Sequence, residues 1–292
     1  MRFLITLQQR IPSEDDSFII ETPSFALKYF EDKFEVGLDT ETEGFDPYSK
    51  KVLLCQIGDS HNQFAIDYTV PLEAFKDFFE DPKRLFILHN AKFDLRFFYH
   101  KRIVIRNVFD TYLAEKIKWL GYPSGIHGMG LKDCCKQYLN IDLDKSVRGS
   151  IHREGLSDRV IVYGCRDVEF LIPLMNAQKE ALAKQDLLVS IDVENHFVPI
   201  LAYIEYCGAK LDEKAWKDKM AKDQKNFDQA KKALDSWVIE YCLQNHNPSI
   251  GPVIHHATAI GTSEEVKKQE KEFLPKNAKV VSRKVITEGS TE

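Results

Sequence analysis

Segments that favour β-strands occur early in the chain, and the segments after them are helical. Short apolar runs bounded by turn residues predict strands. We predict five such strands, at residues 34–40, 51–57, 62–67, 85–88 and 103–109. Helical periodicity lies between the later strands and dominates after the fifth. This order predicts an α/β fold in which a central mixed sheet of five strands is flanked by helices.

The 292-residue chain is long enough for one large domain or two smaller ones. Residues 1–33 are predicted as an N-terminal extension, and residues 34–186 as the domain that contains the sheet. Residues 187–244 carry apolar helical faces and are predicted as a separate helical segment with a break at Gly208. Residues 245–292 are polar, and we predict a flexible tail there.

The composition excludes several classes of protein. The net charge is −5, so no global positive field attracts nucleic acid, and binding of nucleic acid needs a local groove. The six cysteines include no Cys-x-x-Cys pair, which suggests reduced thiols. No stretch is apolar for long enough to span a membrane, and the apolar run at the N-terminus is too short for a signal peptide. We therefore expect a cytoplasmic protein without a membrane partner.

Two carboxylates lie at the end of the first predicted strand. Asp39 and Glu41 are two residues apart, so their side chains point to the same side of the strand. Two negative charges about 4 Å apart repel each other by roughly 1–4 kcal/mol in wet surroundings. A pair of this kind needs a proton, a cation or a metal ion, unless it lies at a solvated strand end.

Two later motifs bring further acids to helices. Asp94 lies in the first turn of a predicted helix, where the helix dipole favours a carboxylate, and Asn90 can cap that helix. Tyr163 and Asp167 are spaced i, i+4 on a long helix predicted over residues 157–184, so they share one face. Each motif alone also fits a purely structural role.

Taken in order, the motifs resemble those of the DEDD exonucleases, in the branch that carries a tyrosine. The pattern is Asp-x-Glu on a strand, Asn-x-x-x-Asp at the start of a helix and Tyr-x-x-x-Asp on a late helix. The run Asp-Thr-x-Leu-Ala that begins at Asp110 supports it. The resemblance covers residues 34–182. It implies a ribonuclease H-like fold and 3′–5′ hydrolysis of phosphodiester bonds, with release of 5′-mononucleotides.

The resemblance also implies two divalent metal ions. Four converging carboxylates cannot all stay ionised without compensation, and Mg²⁺ or Mn²⁺ prefers oxygen ligands. By resemblance, Asp39, Glu41 and Asp167 hold the ion that activates water. Asp39 also contacts a second ion, which Asp94 binds through water. Tyr163 orients the attacking water together with Glu41.

Substrate contacts are implied near the carboxylates. In the resembling family, the residues at the positions of Thr42 and Asn90 touch the terminal nucleotide. The residue at the position of Phe45 wedges against its base, which suits a single-stranded end. Candidate phosphate contacts are the cationic side chains Lys92, Arg96, Arg148 and Arg166. Ordinary solvated side chains are an equal alternative at each of these four positions.

Two kinds of exonuclease fit these motifs. Residues 194–212 resemble the junction at which family A (DNA polymerase I-type) polymerases pass from exonuclease into polymerase, and the next helix resembles part of a thumb. This favours a proofreading exonuclease in a bacterial or viral replication context. Its substrate is then a single-stranded DNA 3′ end, with RNA the less favoured substrate, and a separate polymerase polypeptide is a candidate partner. The alternative is a ribonuclease D-like RNA exonuclease, which shares the motif at Asp110.

Nothing in the chain resembles the palm or fingers of a polymerase, so we expect no polymerase activity from this chain alone. A third hypothesis belongs to another class: a non-catalytic module that binds single strands or docks on a polymerase. The complete set of carboxylates argues against it, because binding alone gains nothing from acids placed next to phosphates.

Overall fold

The computed structural model describes residues 1–10, 17–122, 128–144, 147 and 155–245. Contacts group the chain into one compact unit, Met1–Gly208, and a second unit that begins at Ala209. Arg148, one of the predicted phosphate contacts, lies outside the described residues, as does nearly all of the predicted flexible tail.

The strands of the first unit form one mixed sheet. They are β1 (Arg2–Ile5), β2 (Ile19–Glu21), β3 (Glu35–Thr42), β4 (Val52–Gly58), β5 (Gln63–Asp67), β6 (Leu85–Leu88) and β7 (Val108–Asp110). Their spatial order is β2-β1-β5-β4-β3-β6-β7. Strand β4 is antiparallel to both of its neighbours, and all other neighbouring strands are parallel. The α/β architecture predicted from the sequence is confirmed.

The sheet has two strands more than predicted. Strands β1 and β2 come from residues 1–33, which we expected to be an extension. Strand β1 pairs in parallel with β5, about 60 residues further along the chain, so no local hairpin pattern announces it. The prediction of a fifth strand at residues 103–109 is mostly wrong. Ile103 and Ile105 are buried, but strand pairing begins only at Val108.

Helices cover both faces of the sheet in the first unit. The α-helices of the described chain are α1 (Pro23–Tyr29), α2 (Lys76–Glu80), α3 (Ala91–His100), α4 (Thr111–Lys118), α5 (Leu131–Leu139), α6 (Asp158–Glu169), α7 (Leu171–Ala183), α8 (Leu188–Cys207) and α9 (Glu213–Asn245). Helix α8 belongs to the compact unit of the sheet, and α9 belongs to the second unit. In the part of the chain described here, no helix has both the length and the apolar character needed to cross a bilayer.

The long helix predicted over residues 157–184 is two helices, because Phe170 ends α6 and begins α7. Pro173 lies in the first turn of α7, where its missing N–H costs no helical hydrogen bond. Ser157 caps α6 as predicted, since its hydroxyl accepts a hydrogen bond from the backbone N–H of Val160. The break fixes the length of α6, the helix that carries the late Tyr-x-x-x-Asp motif.

Side chains of β3 alternate between the two faces of the sheet. Val36 and Leu38 pack in a core shared with α3 and with Val198 of α8. Gly37 lies on the other face, directly beneath Val168 of α6. The carboxylates at the end of β3 continue the row of Gly37 and therefore face α6.

Candidate functional site

Three carboxylates meet at the end of β3. The ligand oxygens of Asp39, Glu41 and Asp167 lie within 4.8 Å of one another. The first two come from the strand, and Asp167 is buried on α6, which packs against the same face. Three negative charges in so small a space repel each other, and hard carboxylate oxygens are the ligands that divalent cations such as Mg²⁺ prefer. The donor set therefore fits a divalent metal ion.

Tyr163 lies one helical turn before Asp167, and its hydroxyl is hydrogen-bonded to the Asp167 carboxylate. Burial raises the pKa of Tyr163, and the nearby charges of Asp167, Glu41 and Asp39 raise this pKa further. The hydroxyl therefore stays protonated and donates a hydrogen bond. It is suited to orient a small polar group next to the carboxylates, but not to accept a proton from that group.

Asp94 approaches from the opposite face of the sheet. Its side chain is only 2% exposed on α3. Its Oδ1 accepts a hydrogen bond of 2.6 Å from Thr40 Oγ1. Burial raises the pKa of Asp94 to about 7, and the charge of Asp110 contributes to the rise. Among the described residues, Asp94 does not belong to the group that lies within 4.8 Å. The four predicted carboxylates thus form a close group of three and a separate fourth.

The side chain of Asn90 does not cap α3 as predicted. Asn90 stands at the N-cap position with a positive φ of 69°, and its side chain makes no capping hydrogen bond. The backbone N–H groups of Asn90 and Ala91 instead donate to the two carboxylate oxygens of Asp110, each over 2.9 Å. The exposed amide of Asn90 is therefore not needed to begin the helix.

Asp110 is a structural residue whose full role the sequence analysis missed. The same carboxylate that begins α3 also accepts hydrogen bonds from the N–H groups of Tyr112 and Leu113, at the start of α4. One side chain thus fixes the N-termini of two helices. The available signal was positional, because Asn90 comes just after β6 and Asp110 ends β7, and these two strands are parallel neighbours.

Two predicted substrate contacts lie on the chain that leaves β3. Thr42 is buried, and its hydroxyl donates to the backbone oxygen of Gly44 over 2.7 Å. Phe45 is 82% exposed, and its ring meets the edge of Phe93 with the ring centres 6.0 Å apart. The exposed ring is open to a ligand, whereas the Thr42 hydroxyl already has a partner within the protein.

The predicted cationic contacts differ in their surroundings. Lys92 forms an ion pair of 2.7 Å with Glu205 of α8, and both side chains are about a third exposed. Arg166 is exposed beside the buried Asp167. The guanidinium carbon of Arg96 lies 5.8 Å from the ring centre of Phe93. A phosphate contact by Lys92 therefore competes with Glu205.

Glycines allow α6 to approach the sheet closely at the carboxylates. A Cβ added to Gly37 would come within 2.8 Å of the backbone oxygen of Val168, the residue after Asp167. A Cβ added to Gly164, on α6 itself, would come within 2.3 Å of Nε2 of the buried Gln56. The position of the Asp167 carboxylate thus depends on the absence of these two side chains.

We predict that Gly37→Ala slows the reaction at this site by about 10²-fold, since a shift of 1 Å in a reacting group has an effect of this order. The new methyl group meets backbone that cannot rotate away, so α6 and Asp167 must move outward. Turnover and divalent-metal affinity are the measurements. The control is Gly130→Ala, where the nearest described atom to the added methyl is a carboxylate oxygen of Asp133 at 3.2 Å. Equal losses in the two variants would refute the argument.

Comparison with known proteins places the chain among nucleases. A sequence profile described as 3′–5′ exonuclease matches residues 18–185. Ribonuclease D of Haemophilus influenzae is 30% identical over 174 residues, which are 58% of this chain and 41% of that protein. DNA polymerase I of Aquifex aeolicus is 30% identical over 164 residues, which are 55% of this chain and 26% of that protein. The matched part is less than half of either relative.

Solved structures share the fold. NrnC of Brucella melitensis superposes with a TM-score of 0.56 at 22% identity, over 71% of this chain and 93% of that chain. The structure of Escherichia coli RNase D gives a TM-score of 0.55 at 21% identity, over 72% of this chain and 53% of that chain. These two structures agree with the fold predicted from the sequence. Because the sequence profile matches more than half of the chain, the chain belongs to the 3′–5′ exonuclease family.

Proposed function

We propose that the chain is a metal-dependent exonuclease that removes 5′-mononucleotides from the 3′ end of single-stranded RNA. The observation that carries the proposal is the group of carboxylates Asp39, Glu41 and Asp167, with the protonated Tyr163 hydroxyl beside it. A group of like charges is costly in a purely structural role, and it matches the needs of a phosphodiesterase that works with divalent ions.

RNA is proposed here as the substrate, whereas the sequence motifs alone favoured a DNA 3′ end. Two ribonuclease D proteins, from H. influenzae and Pseudomonas paraeruginosa, match the chain at 30% and 28% identity. One structure of B. melitensis NrnC, a protein that shares the fold, has bound pGG. These similarities support RNA, although the carboxylates themselves act on the phosphodiester that both nucleic acids have.

Proofreading of DNA is the second candidate function. It is supported by the match to A. aeolicus DNA polymerase I and by the resemblance of residues 194–212 to a polymerase junction. The thumb-like character of α9, a polymerase partner and a cytoplasmic location all stay predictions.

Each side chain at the site has a distinct role in the proposed reaction. Asp39, Glu41 and Asp167 would hold one divalent ion, and Asp94, which lies outside this close group, would serve a second. Bound ions supply a nucleophile at neutral pH and neutralise charge on the phosphodiester. A structure of NrnC with bound Mg²⁺ supports Mg²⁺ as one such ion, and Mn²⁺ stays a prediction. The Tyr163 hydroxyl, which is hydrogen-bonded to Asp167 here, would donate to the attacking water once that carboxylate binds the ion. Asn90, whose amide is not used as a cap, contacts the terminal nucleotide.

The deciding experiment compares RNA and DNA oligonucleotides of one sequence, single-stranded and labelled at the 5′ end, with Mg²⁺ or Mn²⁺. We expect a ladder that shortens from the 3′ end, and faster cleavage of RNA than of DNA. Faster cleavage of DNA would favour proofreading. Binding of both oligonucleotides without cleavage, under all metal conditions, would support the non-catalytic module and refute an exonuclease.

We predict that Tyr163→Phe slows cleavage by about 10- to 100-fold. A hydrogen bond to a charged group contributes about 1.5–3 kcal/mol, and 1.4 kcal/mol corresponds to a factor of ten. Metal affinity should change little, because the phenol is not one of the carboxylate ligands. Single-turnover rates and calorimetric titration with Mn²⁺ measure the two properties separately. An unchanged rate would show that the hydroxyl does not position the attacking water.

A further inference from the structure

A row of aromatic side chains, here called the aromatic track, begins beside the candidate site and follows α3. It consists of Phe45, Phe93, His100, Tyr48 and Tyr206. Phe45 meets the edge of Phe93, with ring centres 6.0 Å apart. Tyr48 meets the edge of His100 at 5.7 Å and stacks on Tyr206 at 5.0 Å, with the two ring planes only 6° apart. Phe93 and His100 are seven residues apart on one helix, so the track is about 10 Å long.

Three rings of the track, Phe45, Tyr48 and His100, are exposed, and Phe93 and Tyr206 are half-buried. Phe45 is 82% exposed and Tyr48 is 60% exposed. The hydroxyl of Tyr48 donates to the backbone oxygen of Tyr206, which holds the Tyr48 ring against α8. Large exposed apolar groups that lie together mark interaction surfaces, and rigid aromatic rings lose little conformational entropy when they bind.

Charges along the track are largely balanced. Arg96 lies over Phe93, and the charges of Arg96 and His100 act on the exposed carboxylate of Asp46. Near the site, Lys92 is paired with Glu205. Acids beside the cations weaken attraction for phosphates, so the ring faces are the main feature that a ligand meets. Nucleobases fit such a surface, because each base has a π-face that stacks on an aromatic ring.

We propose that the aromatic track holds, by base stacking, the two or three nucleotides on the 5′ side of the terminal nucleotide. The inference rests on the proposed function, since it extends the path of the same substrate. Phe93 precedes Asp94 in α3, and Phe45 follows Glu41 by four residues, so one end of the track lies at the site. Bases stack at about 3.4 Å per nucleotide, so 10 Å accommodates about three of them. The track thereby makes affinity depend on the length of the strand.

The test compares a dinucleotide with a hexanucleotide of RNA, both fluorescently labelled. Dissociation constants are measured by anisotropy in EDTA, and KM and kcat are measured with Mg²⁺. Stacking contributes about 1–3 kcal/mol per base, so Tyr48→Leu should weaken hexanucleotide binding about 5- to 100-fold. Binding of the dinucleotide, and kcat, should stay unchanged. Tyr206→Leu should act in the same direction.

Two controls isolate the ring. Tyr48→Phe keeps the ring and its stacking on Tyr206 but loses the hydroxyl that bonds to α8, so it should retain most of the hexanucleotide affinity that Tyr48→Leu loses. Tyr122→Leu removes a tyrosine that is 62% exposed beyond the far end of α4, and it should have no effect. The slope of affinity against salt concentration should be the same for Tyr48→Leu and the wild type, because no phosphate contact is removed. Thermal unfolding of each variant reports whether α8 still packs normally.

Several outcomes would overturn the aromatic track. One is that Tyr48→Leu leaves the affinity for the hexanucleotide unchanged. Another is that Tyr48→Leu lowers the affinity for the dinucleotide and for the hexanucleotide equally. A third is that the wild type binds the hexanucleotide no more tightly than the dinucleotide. Those results would leave the rings as a surface for another kind of partner, such as a protein. If the wild type cleaves neither oligonucleotide, the proposed function fails. The dissociation constants in EDTA still decide whether the track binds bases.

Discussion

Replacement of Asp39 and Glu41 together by alanine should reduce cleavage by at least about 10³-fold and leave the fold intact. A bound metal ion stabilises the transition state by several kcal/mol, and each 1.4 kcal/mol corresponds to a factor of ten in rate. Asp39 and Glu41 supply two of the three clustered ligands, and Asp167 alone cannot retain the ion. Without metal, the double variant should be more stable than the wild type, since two of three crowded negative charges are removed.

The matched control for this double variant is Glu31→Ala with Asp32→Ala. These two acids are adjacent and exposed, so their removal makes the same change in net charge without touching the carboxylate group. Cleavage of a labelled oligonucleotide, titration with Mn²⁺ and thermal unfolding in EDTA are measured for both variants. Full activity of the Asp39 and Glu41 double variant would show that the three carboxylates are not the catalytic group.

The parts of the fold that the sequence predicted best are those that depend on local pattern. Apolar runs between turn residues identified β3, β4, β5 and β6, because each of these strands is longer than three residues and largely buried. Strand β2 was missed because it has only three residues, none of them buried. Strand β1 matches β6 in length and burial, but it was missed because it pairs in parallel with β2 and with β5, and β5 lies far along the chain. Residues 103–106 gave an apolar signal through the buried side chains of Ile103 and Ile105, although β7 begins only at Val108.

The same distinction applies to the site. The spacing of Asp39 and Glu41, and that of Tyr163 and Asp167, was sufficient to place each pair on one side of its element. No local pattern predicts the hydrogen bond that Thr40 donates to Asp94, because that bond forms only when α3 packs on the sheet. The double capping by Asp110 and the ion pair of Lys92 with Glu205 also depend on packing between segments distant in sequence.

Metal-free protein should lose stability as the pH rises through the range from about 4 to 7, and Asp94 should be one of the causes. Its pKa of about 7 in the folded protein lies above the ordinary value of 3.8. In this range the folded protein holds a proton that the unfolded chain has released, so stability falls with rising pH. Burial raises the pKa of Asp110 as well, and that residue adds to the same trend.

Asp94→Asn isolates the contribution of Asp94. The amide cannot ionise, so the variant should unfold less readily than the wild type at pH 8 in EDTA, by roughly 1–4 kcal/mol, and the difference should vanish near pH 4. Cleavage should fall by about 10²-fold or more, because the amide removes a negative charge that serves the second ion. Asp77→Asn, at an exposed acid on α2, is the control.

Mg²⁺ should raise the stability of the wild type, whereas a rise in pH should lower it. A ligand that binds only the folded state stabilises it, and the ion favours the ionised form of Asp94 over the protonated one. The stabilisation by Mg²⁺ should therefore be larger at pH 8 than at pH 5 in the wild type, and this difference should be smaller in Asp94→Asn. Denaturant unfolding at the two pH values, with and without Mg²⁺, measures both effects. If Asp94→Asn follows the wild-type curves at both pH values, then Asp94 is already ionised in the folded protein and its burial does not hold a proton in place of the second ion.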